Sequence, residues 1–256
     1  METYALHLPV SVCQALLESG ELGRVQFLRG SHYQDMENWP SYWAGLPPFW
    51  YGTHAIAPLV GLSGSRITAV SCLGSGTMRP ELTRQYGNPF PIETAHFRFE
   101  SLAAEATRSL FETARTYQEG LFVYGSKKSF EWGLSTATAL CDEPPSRGRG
   151  GPQPRGLPTP VEIIEDLPDD FSSLPEPLWR YTVGGDYDPT NPQLSLKKVR
   201  AAAITAPTPT WFMIVRSIVE DRAPAVDWSL AANITAAGIL AHQSALLGGG
   251  WISLPG

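Results

Sequence analysis

The chain has 256 residues, of which 43% are hydrophobic and 17% are charged, which suits a protein with one large domain or two small ones. Its formal net charge of -6 gives no basic footprint, so nucleic acid and anionic membranes are not expected partners. The cysteines, Cys13, Cys72 and Cys141, are spaced too widely for a metal motif or a disulfide framework. Because no secretory signal or membrane-spanning segment is visible either, we expect reduced thiols in a cytoplasmic protein.

Hydrophobic periodicity in the first third of the chain predicts two helices and two strands. In chain order they are a helix over residues 10–19, a short strand over 24–30, a helix over 54–62 and a strand over 67–73. Gly20 ends the first helix, while the second has Thr53 as its N-cap and ends at Gly64. A polar, aromatic loop is predicted over residues 31–49.

The rest of the chain favours a sheet. Strands are predicted over residues 92–100, 121–132 (with a turn at YGSKKS) and 161–164, and helical segments over 174–181, 211–220 and 229–247. Residues 142–158 are rich in Pro, Gly and Arg and are predicted to form a flexible loop. Several strands in succession without long helices between them indicate an α+β fold with an antiparallel or mixed sheet.

Residues 21–132 and 210–255 resemble a known domain. The stretches that carry the resemblance are LGRVQFLRGSHYQDMENWP, PPFWYGTHAIAPLVGLSG, GNPFPIETAHFRFE, ETARTYQEGLFVYGSKKSFEW and RSIVEDRAPAVDWSLAANITAAGILAHQSALLGG. Together they are similar to the C-terminal domain of the glucose–fructose oxidoreductase/inositol dehydrogenase (Gfo/Idh/MocA) family. The resemblance implies a large, open, mainly antiparallel sheet with helices on one face, and a strand at residues 103–113, where composition alone favours a helix. It also implies that the other face of the sheet mediates dimerisation.

Members of this family bind NAD(P) on a Rossmann domain that precedes the domain resembled here. The resemblance begins about 20 residues after Met1, so we expect one domain over residues 1–256 that binds no cofactor by itself. Gly74 and Gly76 follow a predicted strand, as a dinucleotide fingerprint would, but Arg79 stands where the third glycine belongs. We therefore expect a plain turn between strands there.

His54 is the candidate catalytic residue. In the family, a histidine near the start of this helix lies beside the reactive carbon, and it works with an acidic residue four positions earlier and a lysine of an E-K-P motif. A histidine in that place could shuttle the proton of a substrate hydroxyl. Here Trp50 occupies the acidic position and no E-K-P motif exists. The alternative is that His54 is a structural residue hydrogen-bonded within the fold.

The polar and aromatic loop is the candidate substrate pocket, because sugars stack on aromatic rings while their hydroxyls pair with fixed polar groups. The residues predicted to bind substrate are Arg29, His32, Asp35, Trp39, Trp43 and Tyr51, with Tyr33 and Gln34 beside them. Alternatively these aromatic side chains anchor a dimer or cover a surface between domains.

Metal binding is not predicted. The five histidines are scattered, and none has the spacing of a helical zinc motif. Residues 184–210, where the resemblance implies a Gly/His-rich segment that contributes to the cleft, contain no histidine. A second catalytic contribution from that segment is therefore in doubt.

The expected function is that of the substrate-binding and oligomerisation domain of a sugar or polyol oxidoreductase. With no nucleotide-binding domain of its own, the chain is not expected to transfer hydride alone. Its partners would be a sugar-like molecule, a second copy through the sheet face, or a separate Rossmann domain. Two alternatives stay open: a cofactor-independent isomerase, lyase or deglycosidase that uses His54, and a non-catalytic partner of a full-length relative.

Overall fold

The computed structural model describes residues 8–115, 117–133, 137–141, 161–164, 217–224 and 226–255. The described residues include the α-helices α1 Leu8–Glu18, α2 Thr53–Ser63, α3 Pro80–Tyr86 and α4 Trp228–Leu246, and residues 217–219 are also helical. Two short 3₁₀ helices, Ser41–Trp43 and Pro48–Tyr51, precede α2. The strands are β1 Val25–Tyr33, β2 Ala69–Ser75, β3 Ile92–Arg98, β4 Ala103–Ser109, β5 Gln118–Gly125, β6 Lys128–Trp132, β7 Ala137–Cys141, β8 Val161–Ile164 and β9 Ile252–Ser253.

The strands form one open sheet in the order β8-β7-β6-β5-β1-β4-β3-β2-β9. All neighbours are antiparallel except β1 and β4, which are parallel and pair Leu28 with Ala104 through Tyr33 with Ser109. The predicted open, mainly antiparallel or mixed sheet is confirmed. The strand implied over residues 103–113 is confirmed as β4, against the helical preference of its composition.

One face of the sheet carries the hydrophobic core. Alternate residues of each strand point to this face, and in β3 they are Glu93, Ala95 and Phe97, which are fully buried. Helix α2 packs on β1, β4 and β5, while α4 packs on β2, β3 and α2. The helices therefore cover the face on which the core lies, as the resemblance implied.

Glycine and polar side chains fix how closely the helices approach. A Cβ atom on Gly30 of β1 would lie 2.3 Å from the carbonyl oxygen of Ala55, so only glycine lets α2 lie this close to the sheet. Asn233 of α4 accepts a hydrogen bond from the Ile67 amide and donates one to the Ile67 carbonyl, both at 2.9 Å. These contacts fix α2 and α4 over the strands whose ends form the candidate site.

A second, smaller core lies beneath the segment between β1 and α2. It consists of Met36, Met78, Leu82, Leu110 and Phe111, with Trp43, Ala44, Leu46 and Tyr51 packed against it. Gly45 meets this core at a positive φ of 77°, and a Cβ atom there would collide with the Leu82 carbonyl. The aromatic segment between β1 and α2 therefore packs on this smaller core.

Several element boundaries differ from the predictions. β1 continues to Tyr33, so the first three residues of the predicted loop are strand; the N-cap of α2 is Gly52 rather than Thr53; and α3 was not predicted. The end of α2 at Gly64, in left-handed conformation, is confirmed. The predictions for residues 142–158, 174–181, 184–210 and 211–216 lie outside the described residues. No helix in the described part of the chain is long and apolar enough to span a membrane.

Candidate functional site

His54 is the second residue of α2 and follows a tight change of direction. The 3₁₀ helix Pro48–Tyr51 ends at Gly52, where a Cβ atom would lie 2.9 Å from the Phe49 carbonyl oxygen. Glycine therefore allows the 3₁₀ helix and α2 to join directly. This junction places Tyr51 and His54 three residues apart with their rings 5.3 Å apart, centroid to centroid, in an edge-on contact.

An acidic partner for His54 comes from a different part of the chain. Oε1 of Glu119, near the start of β5, lies 2.9 Å from Nδ1 of His54. The Tyr117 hydroxyl donates a hydrogen bond of 2.5 Å to the same oxygen. An ionised carboxylate only accepts hydrogen bonds, so with Glu119 ionised and the imidazole neutral Nδ1 carries the shared proton and the opposite ring nitrogen, Nε2, is the acceptor. The side chain of Glu119 is 1% exposed and that of His54 is 19% exposed, so the histidine is the member that solvent reaches.

His32 lies against this pair from the end of β1. Its ring centroid is 4.7 Å from that of His54 and 5.1 Å from that of Tyr117. Nε2 of His32 is 4.0 Å from Oε1 of Glu119, and the side chain is almost fully buried. Two imidazoles and one carboxylate from three separate segments therefore meet in one place.

A buried arginine, Arg108, holds the backbone of the site in place. Arg108 donates hydrogen bonds to the carbonyls of Tyr51 and His32, at 2.9 and 3.0 Å, and to Oε1 of Gln34, at 3.1 Å. Burial lowers the pKa of its guanidinium to about 9, although Tyr51, Tyr117 and Glu119 oppose that shift. Because its guanidinium binds the carbonyl oxygens of Tyr51 and His32, Arg108 fixes the backbone at both residues.

Tyr117, which is 45% exposed, donates its hydrogen bond to Glu119 from a hydroxyl with a raised pKa. Burial raises the pKa of its hydroxyl above the usual range, and the hydrogen bond and negative charge of Glu119 raise it further. The proton on Tyr117 is therefore retained, and the tyrosine holds the carboxylate in the orientation that meets His54.

A series of aromatic rings leads from His54 to the surface; we call Tyr51, Trp43, Trp39 and Tyr42 the aromatic row. The centroid of Tyr51 is 5.3 Å from that of Trp43, and Trp43 is 5.9 Å from Trp39 and 5.6 Å from Tyr42. Such edge-on and tilted contacts are favourable for aromatic pairs. The row thus extends from His54, which adjoins the buried His32, to the exposed side chains of Trp39 and Tyr42.

The same centre has the donors for a metal ion. One ligand atom from each of His32, His54 and Glu119 lies within 4.8 Å of the other two. Two imidazoles and a carboxylate are a ligand set that zinc uses. Spacing along the sequence did not indicate this set, because its members come from β1, α2 and β5.

The structure brings together some of the predicted site residues and separates others. His32, Trp39, Trp43, Tyr51 and His54 are connected through ring contacts. Arg29 points to the opposite face of the sheet, as strand alternation requires, and forms an ion pair with Glu105.

Asp35 and Tyr33 are also directed elsewhere. Asp35 accepts a hydrogen bond of 3.0 Å from the Glu37 amide within its own turn. The ring of Tyr33 lies 5.8 Å from the guanidinium carbon of Arg115. The residues that sequence reasoning missed are Glu119, Tyr117 and Arg108.

No protein-family profile matches the chain, and no curated protein matches its sequence. Its structure is similar to that of an oxidoreductase domain protein from Kribbella flavida, with a TM-score of 0.65 and 16% identity over 99% of this chain and 64% of that one. A levoglucosan dehydrogenase in complex with NADH and levoglucosan gives 0.67 and 14%, over 99% of this chain and 65% of that one. An inositol dehydrogenase homolog from Azotobacter vinelandii, complexed with NADH and myo-inositol, gives 0.62 and 16%, over 99% and 63%.

The chain therefore has a fold that these oxidoreductases share, and it spans less than two thirds of their length, 63% to 65%. At these identities the likeness concerns the fold alone. The fold implied by the resemblance to the Gfo/Idh/MocA family is confirmed.

Proposed function

We propose that this chain is the substrate-binding part of a sugar or polyol oxidoreductase, in which His54 accepts the proton of a substrate hydroxyl. The observation that carries the proposal is the 2.9 Å contact between Nδ1 of His54 and Oε1 of Glu119. A carboxylate that holds Nδ1–H fixes the imidazole tautomer and makes Nε2 the basic nitrogen. It also stabilises the imidazolium that forms when Nε2 takes up a proton.

The surroundings of Gly74 and Gly76 do not fit a nicotinamide dinucleotide. Gly74 and Gly76 are the pair that most resembles a dinucleotide fingerprint. The ring of Phe90 fills the space beside Gly74, since a Cβ atom on Gly74 would collide with that ring. Gly74 also belongs to an antiparallel strand, not to a turn that leads into a helix. The redox part of the reaction therefore belongs to a Rossmann domain, on this polypeptide or another, and these residues contribute substrate binding and the proton acceptor.

The support for this class of substrate is chemical. A site for a hydroxylated ring needs apolar faces beside fixed polar groups. Here the rings of Tyr51 and Trp43 stand next to the His54–Glu119 pair. Two proteins of the same fold have been seen with levoglucosan and with myo-inositol, each together with NADH.

The experiment is a titration of the protein with myo-inositol and levoglucosan, followed by calorimetry and tryptophan fluorescence. We expect saturable binding that weakens roughly tenfold in His54→Ala, since one hydrogen bond to an ionisable group is lost. Trp228→Ala, at a residue that is 85% exposed, is the control and should bind normally. Unsaturable titrations, or a His54→Ala variant that binds as wild type, would contradict the proposal.

The same preparation distinguishes the alternative enzyme classes. Turnover of a sugar without any nicotinamide, abolished by His54→Ala, would indicate an isomerase, lyase or deglycosidase instead. Turnover that requires NAD(P) and a Rossmann domain would support the oxidoreductase. Normal polyol binding without turnover when that domain is supplied would favour a non-catalytic partner.

The proposal includes self-association through the sheet face that lies opposite the helices. On that face the Thr94 and Thr107 hydroxyls lie 3.1 Å apart, and the Phe27 and Tyr124 rings are stacked with their centroids 6.5 Å apart. Light scattering after size exclusion should give a dimer, and Thr107→Arg should give a monomer, because it introduces a large charge at the centre of the face. A monomeric wild type would refute this part of the proposal.

A further inference from the structure

The outer end of the aromatic row is exposed, although its inner end is not. Trp39 is 44% exposed and Tyr42 is 61% exposed, whereas Trp43 and Tyr51 are partly buried between them and His54. Large aromatic side chains held in water beside a site often mark a surface that contacts a ligand. The row therefore continues the candidate site outward from His54 through three successive ring contacts of 5.3 Å, 5.3 Å and 5.9 Å.

The backbone that carries the exposed rings is firmly held. The Tyr42 carbonyl accepts hydrogen bonds from the Tyr86 hydroxyl, at 2.5 Å, and from Nε2 of Gln85, at 3.3 Å. Trp43 packs on the small core of Met36, Met78, Leu82, Leu110 and Phe111. Because the support is already formed, a ligand that stacks on Trp39 or Tyr42 orders little additional protein.

Polar groups are concentrated at the inner end of the row. His54, Glu119 and Tyr117 are joined by hydrogen bonds of 2.9 and 2.5 Å beside Tyr51. Trp39 and Tyr42 instead offer ring faces and edges. A molecule that matches both ends has a hydroxylated ring inside and a second ring outside.

We propose that Trp39 and Tyr42 form a second subsite, so that the substrate is a two-ring glycoside. Its inner sugar ring lies at His54 and its outer ring, a sugar or an aryl group, stacks on Trp39 and Tyr42. This inference rests on the proposed function for the place of the inner ring. It adds that the substrate has two rings, which the proposed function alone does not specify.

The experiment compares one-ring and two-ring ligands of the same inner sugar on wild type and variants. D-glucose and methyl glucoside are the one-ring probes, maltose and cellobiose add a sugar, and phenyl glucosides add an aryl ring. We expect at least one two-ring probe to bind roughly tenfold more tightly than glucose. Trp39→Ala combined with Tyr42→Ala should weaken the two-ring probes far more than glucose, so that the ratio of the two affinities falls to about one.

Two variants separate stacking from damage to the fold. Trp39→Phe retains a ring and should retain most of the advantage, while Trp228→Ala removes an exposed tryptophan outside the row and should retain all of it. Equal affinity for one-ring and two-ring probes would overturn the second subsite while leaving the proposed function intact. A two-ring advantage that survives the double variant would overturn its location. Binding of none of these glucosides would overturn the second subsite, whereas the proposed function stands or falls with the titrations of myo-inositol and levoglucosan.

Discussion

Nδ1 of His242 lies 2.6 Å from Oε1 of Glu93, which joins the last helix to the third strand across the core. The other carboxylate oxygen of Glu93 accepts the Phe49 amide at 3.0 Å. One fully buried carboxylate thus connects β3, α4 and the 3₁₀ helix that precedes His54.

Removing this carboxylate should destabilise the protein strongly. Glu93→Ala leaves the buried amide of Phe49 and the ring of His242 without their acceptor, so we expect the free energy of unfolding to fall by about 3–5 kcal/mol. Glu93→Gln has nearly the same shape and can still accept from Phe49, so its loss should be about 1–2 kcal/mol. Denaturant unfolding measures both; an Ala variant as stable as the Gln variant would contradict the role of the carboxylate.

The close approach of α2 to the sheet can be tested with a matched pair of glycines. Gly30→Ala places a methyl group against the Ala55 carbonyl and should cost about 1–3 kcal/mol of stability through overpacking. Gly61→Ala, within α2 itself, meets no atom within 4 Å and should add about 0.5–1 kcal/mol through helix propensity. Equal effects of the two substitutions on thermal or denaturant unfolding would show that α2 is not held this close.

Much of the sheet was predictable, because alternation in β3, β5 and β6 reports half-buried strands directly. β4 was not predictable from composition. Ala104 and Ala106 favour a helix in isolation, yet both are fully buried on the sheet face that α2 covers, where small side chains permit a close approach. The resemblance was right about β4 because tertiary packing overrides local preference. Helix α3, which was not predicted, does have the sequence signals of a helix, because Pro80 lies in its first turn and Gly87 follows its last residue.

The candidate site was only partly predictable. His54 was predicted because the resemblance places a histidine near the start of this helix, but the acidic partner that the resemblance implies four positions earlier is replaced here by Trp50. The carboxylate comes instead from Glu119, 65 positions later, and no local pattern relates the two. The first strand, β1, was also predicted to end at Gly30. Arg29 and His32 were therefore both placed at the edge of the loop that follows. Since β1 continues to Tyr33, its two-residue period puts Arg29 and His32 on opposite faces.

Tyr117 should make stability depend on pH in the alkaline range. Its pKa is raised in the folded protein, chiefly by burial and then by Glu119, whereas the unfolded value is about 10. Above that pH the unfolded chain binds fewer protons than the folded one, so the contribution of Tyr117, which is complete below pH 10, is lost as the pH rises through the folded value. Between pH 9 and 11 wild type should therefore lose more stability than Tyr117→Phe. Parallel pH profiles for the two proteins would contradict the shift.

The buried thiols should be inert in the folded protein. Burial raises the pKa of Cys13 to about 12 and that of Cys72 above the usual range, so neither forms thiolate at neutral pH. We expect labelling of both by a disulfide reagent at pH 8 to accelerate with denaturant in parallel with unfolding. Mass spectrometry separates them from Cys141. Rapid labelling of either residue without denaturant would be inconsistent with the core described above.

The most direct test of the substrate site is a crystal structure of the protein with a bound polyol, such as myo-inositol. We predict a ligand oxygen about 3 Å from Nε2 of His54, with Nδ1 still hydrogen-bonded to Glu119 and a ring face of the ligand against the aromatic row. A polyol bound away from His54, or a His54 ring turned away from both Glu119 and the ligand, would contradict the assignment of this pair as the proton acceptor.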